Sequence, residues 1–198
     1  MKRPAVKPPA MKPPATKQRR SKALITLRSA GADDAATIHQ LIEANLEEGH
    51  LLPRTLSELT VHATRFVVAV SRRKVVGCAE LAPLSPRVAE VRSLAVDQQA
   101  RGSRVGMLIV DELRRRAQRD GFEKLCAFTH APGYFTRMGF SIVPHSWLLE
   151  KVFTDCLKCP QFRKCGQYGM VVPLDYGREK AIGDVAAEAR YGLSAPPG

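Results

Sequence analysis

The chain has 198 residues, of which 44% are hydrophobic and 25% charged, and its formal net charge is +12. A chain of this length can form one folded domain with tails. No stretch reaches the roughly 18 apolar residues that a transmembrane helix requires, so the sequence argues against an integral membrane protein.

The excess of positive charge belongs mainly to residues 1–22. This segment carries eight Lys or Arg and no Asp or Glu, so the rest of the chain has a net charge of +4. It is rich in proline and contains KPPA twice, which predicts a disordered tail. Two interpretations remain open: a solubilising extension, or weak, salt-sensitive contact with nucleic acid or an acidic partner. The domain itself is predicted to span residues 23–174, with a flexible extension over 175–198.

The first part of the domain is predicted to contain one strand and two helices. Residues 23–28 favour a strand, and the helix that follows has an apolar stripe that ends at Asn45. Thr55 or Ser57 can cap a second, short helix.

Three strands and a long helix follow. The apolar runs at 66–70 and 75–81 are joined by a basic turn, which is a hairpin pattern. A central strand is predicted over 89–96, then a glycine-bearing turn at 101–106, then an amphipathic helix that continues to residue 119. A turn that opens a helix presents free backbone N–H groups and the positive end of the helix dipole, which suits a phosphate. The alternative is an ordinary strand-to-helix turn with glycines for steric reasons.

The C-terminal part is less regular. A strand is predicted over 124–129 and another at 168–172, whereas residues 144–156 are compatible with either a strand or a short helix. The predicted order up to the corner at 134–140 is β-α-α-β-β-β-α-β-α-β.

Two of these segments resemble the GNAT N-acetyltransferase superfamily. A strand that ends in Leu-Ala-Val, followed by R-G-x-x-x-G and an amphipathic helix, is similar to its acetyl-CoA motif. The sequence YFTRMGF at 134–140 resembles its late helix-to-strand corner. The resemblance implies an α/β (α+β) fold with a mixed, mostly antiparallel central sheet flanked by helices.

The same resemblance implies acetyl-CoA as cosubstrate. Its binding residues would lie at the end of the central strand and in the turn: Leu94, Ala95, Val96, Arg101, Gly102, Ser103, Arg104, Val105 and Gly106. The family loop is commonly R/Q-x-x-G-x-G, and here Arg104 replaces the middle glycine. Its side chain either crowds the pyrophosphate or pairs with a phosphate.

Acetyl transfer to an amine requires removal of a proton from the amine and protonation of the leaving thiolate. The resemblance implies Glu90, on the central strand, as the general base; the alternative is a surface carboxylate or a partner for Arg92. Many GNAT enzymes use as the acid a Tyr at a position that is Phe135 here. The adjacent Tyr134, or Thr129, is therefore the candidate acid.

The flanking segments resemble N-acetylglutamate synthases and the short, kinase-less acetyltransferases grouped with them. LLPRTLSEL at 51–59 resembles the synthase segment whose Arg binds a substrate carboxylate. An acidic amino acid needs cations for two carboxylates. The candidates are Arg54, Arg92, Lys151, Arg163 and Lys164.

Three of the five cysteines, Cys156, Cys159 and Cys165, form a cluster in the sequence. They are interpreted as free thiols, as part of a zinc site that lacks an evident fourth ligand, or as a redox pair with one thiol left over. We expect no resident metal, with zinc as the alternative. The odd number of cysteines and the lack of a secretory signal pattern favour a cytoplasmic protein.

The leading hypothesis is an acetyl-CoA-dependent acetyltransferase that acts on the α-amino group of L-glutamate and starts arginine synthesis. The alternatives are transfer to glutamine, to another amino acid or to a protein N-terminus, and a non-catalytic GNAT-like module with a nucleic-acid-binding tail. The sequence leaves a homodimer open.

Overall fold

The computed structural model describes residues 24–46 and 51–174. The expectations for the tail at 1–22 and for the extension at 175–198 therefore lie outside the described residues. None of the helices in the described ranges is long and apolar enough to cross a bilayer.

The described residues form one sheet with helices on both faces. The strands are β1 Ile25–Ser29, β2 Phe66–Ser71, β3 Lys74–Pro83, β4 Val88–Val96, β5 Lys124–Thr129, β6 Ser141–Val143 and β7 Tyr168–Pro173. The helices are α1 Ala35–Glu43, α2 Leu56–His62, α3 Val105–Arg119, α4 Pro132–Thr136 and α5 Leu149–Thr154. The ambiguous stretch before the cysteines is thus a helix, α5.

The seven-stranded sheet has the order β1-β2-β3-β4-β5-β7-β6. All neighbours are antiparallel except β4 and β5, which α3 connects as a crossover. The predicted mixed and mostly antiparallel sheet, flanked by helices, is confirmed.

Strand alternation divides the core into two layers. On one face, α3 packs through Val105, Ile109 and Leu113 against Val67 and Leu81 of the sheet. On the other face, α1 and Leu59 of α2 pack against Phe66, Val68, Cys78 and Ala95. The face that carries α1, α2 and α5 also carries Glu80, Glu90 and Arg92 of the central strands. We call it the acceptor side, because three of the predicted substrate cations, Arg54, Arg92 and Lys151, lie on it.

A β-bulge in β4 interrupts this alternation. Glu80 pairs with Arg92, but Cys78 pairs with Ala95, so β4 has one residue more than β3 at this point. Ser93 accommodates the bulge with a φ of 54°, a left-handed conformation that non-glycine residues seldom adopt. The pairing of β4 with β5 is restricted to Val88–Glu90, so the two strands separate beyond Glu90.

Candidate active site

The separation of β4 and β5 opens a cleft of about 510 Å³. Its walls come from the end of β4, the following loop, the start of α3 and the ends of β5 and α4. The predicted cosubstrate residues that line it are Leu94, Val96, Arg101, Gly102, Arg104, Val105 and Gly106. Ala95 instead points to the acceptor side and packs with α1, and Ser103 bonds through its hydroxyl to the carbonyl oxygen of Ala100.

The loop at 101–106 enters α3 through two left-handed residues. Gly102 has a φ of 75° and Arg104, which precedes the first turn of α3, has a φ of 66°. The backbone N–H groups at the start of a 15-residue helix have no partners within the helix and suit a phosphate. The geometry is therefore compatible with the predicted phosphate loop.

Arg104 adopts a conformation that glycine, the usual family residue, adopts without strain. A left-handed non-glycine residue costs on the order of 1 kcal/mol. Arg104 is exposed at the cleft, and no hydrogen bond or ion pair of its guanidinium is found within residues 24–46 and 51–174.

Asn45 positions the first residue of the loop. Its Oδ1 atom accepts a hydrogen bond of 2.6 Å from Nη2 of Arg101, and its Nδ2 atom donates to the carbonyl oxygen of Leu41 at 2.8 Å. Asn45 is 7% exposed and lines the cleft. The signal in the sequence that could have identified Asn45 as a site residue is its position, because a polar residue there continues the spacing of the apolar stripe of α1.

Tyr134 and Thr129, the two candidate acids, both line the cleft. A Cβ atom at Gly106 would lie 2.3 Å from the Tyr134 hydroxyl oxygen, so only glycine leaves room for this ring. Burial raises the pKa of Tyr134 to about 12, which keeps its hydroxyl protonated near neutral pH. Thr129 Oγ1 accepts a hydrogen bond of 3.0 Å from the Ala131 N–H.

Glu90 lies on the acceptor side, 3% exposed, at the point where β4 and β5 part. Arg92 donates to its Oε2 atom from Nε at 3.0 Å and from Nη2 at 2.6 Å. Lys151 of α5 lies 2.8 Å from both carboxylate oxygens. The predicted base is thus held between two cations.

Asp155 completes this charged group, which we call the Glu90 quartet: Glu90, Arg92, Lys151 and Asp155. Its Oδ2 atom accepts a hydrogen bond of 2.8 Å from Lys151 and another from Arg92 Nη2. Burial, which alone would raise the pKa of Asp155, is outweighed by the hydrogen bond from Lys151 and the charge of Arg92, so this pKa lies below its usual value. The quartet contains two cations and two anions.

Arg54 belongs to a second ion-pair group beside the quartet. Its Nη1 atom donates to Glu80 at 2.9 Å and to the Ser93 hydroxyl at 3.0 Å. The side chains of Arg54 and Glu80 are only 8% and 1% exposed. Arg54 Nε lies 2.8 Å from a carboxylate oxygen of Glu58, but the direction is not that of a hydrogen bond, so this donor is buried without a partner in the described residues.

The structure therefore brings together three of the five predicted substrate cations: Arg54, Arg92 and Lys151. Arg163 and Lys164 lie in an exposed turn, Phe162–Lys164, and no ion pair of either is found among the described residues. Glu80, Ser93 and Asp155 were not singled out from the sequence. Their roles depend on contacts between distant segments, for which the local sequence carries no signal.

The five cysteines are free thiols. Cys78 and Cys126 are buried, and burial raises the pKa of both, to about 12 for Cys78. Cys156 and Cys159 are partly exposed and Cys165 is exposed. Among the described residues, no three His, Cys, Asp or Glu side chains lie where they could together hold a metal ion.

Comparisons with known proteins identify the family of this chain. The sequence model of the GNAT acetyltransferase domain family matches residues 62–142. An uncharacterized N-acetyltransferase of Chlorobaculum tepidum is 30% identical over 148 residues, which cover 75% of this chain and 96% of the relative. An amino-acid acetyltransferase of Mycobacterium tuberculosis is 30% identical over 132 residues, 65% of this chain and 75% of that protein. The chain spans only 26% of the longer amino-acid acetyltransferase of Vibrio vulnificus, to which it is 28% identical.

Solved structures share the fold of this chain. A Mycobacterium tuberculosis protein in complex with CoA and NLQ aligns with a TM-score of 0.64 and 26% identity, over 75% of this chain and 99% of that one. The N-acetylglutamate synthase of Neisseria gonorrhoeae, complexed with coenzyme A and N-acetyl-glutamate, has a TM-score of 0.67 at 23% identity, over 77% of this chain and 35% of that one. The chain belongs to the GNAT family of acetyltransferases, which use acetyl-CoA as the acetyl donor.

Proposed function

We propose that this enzyme transfers the acetyl group of acetyl-CoA to the α-amino group of an amino acid, with L-glutamate as the substrate and arginine synthesis as the pathway. The observation that carries the proposal is the pair of ion-pair groups around Glu90 and Arg54 on the acceptor side. They hold the Glu90 carboxylate and three cations, Arg54, Arg92 and Lys151, beside the separation of β4 and β5. The proposal is supported by the similarity of the chain to an amino-acid acetyltransferase and to an N-acetylglutamate synthase.

In this proposal Glu90 takes the proton of the substrate amine, and Tyr134 or Thr129 protonates the leaving thiolate. The raised pKa of Tyr134 suits a group that must keep its proton at neutral pH until transfer. Arg92, Lys151 and Arg54 supply positive charge for the substrate carboxylates.

Glutamine is the second candidate, and the charge balance of the site favours it. Arg54 is already paired with Glu80, and the Glu90 quartet is neutral as a whole. A second substrate carboxylate therefore requires one of these cations to leave its partner, whereas a side-chain amide does not.

The test is release of the CoA thiol from acetyl-CoA in the presence of glutamate, glutamine, aspartate, a simple amine or a peptide with a free N-terminus. Turnover with glutamate at least tenfold above the others, in kcat/KM, supports the proposal, since this corresponds to roughly one charge-assisted hydrogen bond. Preference for the peptide, or thiol release with none of the amines, contradicts it.

A further inference from the structure

Lys151 occupies the place where, under the proposed function, the substrate amine has to bind. Its ammonium nitrogen lies 2.8 Å from both oxygens of Glu90, and its side chain is 13% exposed. The same nitrogen lies 5.3 Å from the ring centroid of Phe128, which lines the cleft. The resting site therefore holds an ammonium of the protein itself beside the proposed base.

The two oxygens of Glu90 are held differently. Oε2 accepts hydrogen bonds from Arg92 at 3.0 and 2.6 Å as well as from Lys151. Among the described residues, Oε1 accepts a hydrogen bond from Lys151, whereas the hydrogen bonds from Arg92 go to Oε2. If the Lys151 ammonium turns away, Arg92 still fixes the carboxylate while Oε1 becomes available to another ammonium.

Asp155 keeps Lys151 in the site when this happens. An ammonium has three donors, and among the described residues Lys151 donates hydrogen bonds to the two oxygens of Glu90 and to the Asp155 carboxylate, each at 2.8 Å. Asp155 follows Lys151 by four residues, at the end of α5, so their contact does not depend on Glu90. A Lys151 that leaves Glu90 remains tethered beside it, with two donors free for a new anion.

We infer that the Glu90–Lys151 ion pair is the recognition site for a free α-amino acid, whose ammonium and α-carboxylate insert between the two side chains. The inference rests on the proposed function, because it assigns Glu90 to the amine. The substrate ammonium pairs with Oε1 of Glu90, and the substrate carboxylate takes the two donors of Lys151. One buried ion pair becomes two, and no charge is left unpaired.

This arrangement selects a class of substrate. A simple amine has no carboxylate, and the N-terminal amine of a protein is followed by an amide carbonyl. Either would separate Glu90 from Lys151 without giving Lys151 a new anion, so two of its three donors would lose their partners while only the contact with Asp155 remained, and buried donors without partners are costly. The acceptor is therefore a free amino acid with an intact α-carboxylate, and Asp155 is a positioning residue that acts through Lys151.

The experiment compares L-glutamate and L-glutamine with the α-amide of each, by steady-state kinetics on the full-length enzyme. In the wild type, amidation of the α-carboxylate should lower kcat/KM roughly ten- to hundredfold, the range of a charge-assisted hydrogen bond. In Lys151→Met this ratio should fall to near one, because the cation that detects the carboxylate is gone. Lys151→Arg should retain part of the ratio, and Lys158→Met, at an exposed lysine of the same segment, should retain all of it.

Equal kcat/KM for acid and α-amide in the wild type would overturn the inference and leave the proposed function standing. This comparison requires no variant, so a folding defect cannot obscure it. A full wild-type ratio in folded Lys151→Met would also overturn it. Turnover with none of the four compounds would count against the proposed function instead. Calorimetric binding of glutamine and its α-amide in the presence of CoA would then decide the inference, since equal affinities contradict it.

Discussion

The two sides of the candidate active site are built in different ways. The proposed cosubstrate side, which is the cleft between β4 and β5, comes mainly from one continuous stretch, the end of β4 with the loop and first turn of α3, over residues 94–106. The acceptor side joins residues 26 positions apart in the pair of Arg54 with Glu80, and 61 apart in the pair of Lys151 with Glu90. The proposed cosubstrate side presents backbone N–H groups at the start of α3 and has no side chain at Gly106. The acceptor side consists of charged side chains in ion pairs.

Because of this difference, the two sides should respond to different kinds of substitution. A backbone site is damaged by added bulk and tolerates changes of charge, because its donors belong to the main chain. A group of buried ion pairs is damaged by removal of one charge, because the partner is then left unpaired. The variants that follow test this contrast, from the largest expected effect to the smallest.

Glu90→Gln should produce the largest effect. If Glu90 is the general base, kcat near neutral pH falls on the order of 10²–10⁴-fold, whereas the KM for acetyl-CoA changes little. Steady-state kinetics across pH measure this. Glu123→Gln, at an exposed carboxylate paired with Arg87, is the control and should behave as the wild type. A loss of kcat below about threefold at every pH would remove Glu90 from proton transfer.

Arg54→Ala should destabilise the fold as well as any carboxylate binding. It leaves Glu80, 1% exposed, with a longer ion pair to Arg65 at 3.8 Å and the nearby charge of Arg92 among the described residues. The free energy of unfolding in urea should fall by about 3–5 kcal/mol, and addition of Glu80→Gln should restore part of the loss. Arg28→Ala, which breaks an exposed pair with Asp34, should cost at most about 1 kcal/mol. Equal losses for the two arginine variants would show that the Arg54 pair is not buried in solution.

Gly106→Val tests the cosubstrate side with bulk rather than charge. The first added carbon would meet the Tyr134 hydroxyl at 2.3 Å, so the ring must move into the cleft. Such overpacking costs roughly 1–3 kcal/mol, and the KM for acetyl-CoA should rise roughly 5- to 100-fold while that for the amino acid changes less. Gly31→Val is the matched control, since a side chain there has no atom within 4 Å. An unchanged KM would place the cosubstrate elsewhere.

Tyr134→Phe should have a smaller effect, a change in thermal stability that is visible only at alkaline pH. Its pKa in the folded state is about 12, above the usual value near 10 in the unfolded chain. A raised pKa gives stability that is complete below the unfolded pKa and is lost as pH rises toward the folded one. The melting temperature of the wild type should therefore fall more steeply from pH 10 to 12 than that of Tyr134→Phe. Tyr168→Phe, at an exposed tyrosine, is the control, and parallel curves for all three proteins would refute the prediction.

Deletion of residues 1–22 should have almost no effect on either side. The proline-rich, basic sequence of this segment predicts a tail that adds nothing to the core, so melting temperature and turnover should be close to those of the full chain. Differential scanning fluorimetry and kinetics measure both. A cooperative loss of stability would instead mean that the tail is docked, and binding of the full chain to nucleic acid would then need to be measured at several salt concentrations.

The strand, loop and helix that line the cleft could be predicted from the sequence because they are contiguous. The apolar periodicity of α3 and the spacing of Gly102 and Gly106 indicate a strand, a turn and a helix without knowledge of the rest of the chain. The hairpin of β2 and β3 was predictable for the same reason. Its turn contains Arg72 and Arg73 in the left-handed conformation, which the basic sequence alone did not indicate.

The acceptor side could be predicted only in its residue types. Arg54, Arg92 and Lys151 were identified as cations, but their partners Glu80 and Asp155 were not, because the partner of a charge is fixed by packing between distant elements. The bulge at Ser93 was also not predicted. Serine has no preference that marks a left-handed bulge within an otherwise apolar strand, so local propensity gives no warning of it.

The bulge in β4 makes the length of this strand as important as its composition. Glu90 and Arg92 face the acceptor side. Without the extra residue, strand alternation would place Leu94 and Val96 on this side as well. Because of the bulge, Ala95 faces the acceptor side instead, and Leu94 and Val96 pack toward α3. A deletion of one residue between Arg92 and Ala95 would remove the bulge. The residues on one side of the deletion would then point to the opposite face of the sheet, although no other amino acid has changed. Either the acceptor or the cosubstrate would then meet the wrong side chains. Homologues and engineered libraries should therefore tolerate substitutions at Ser93 far better than any insertion or deletion there.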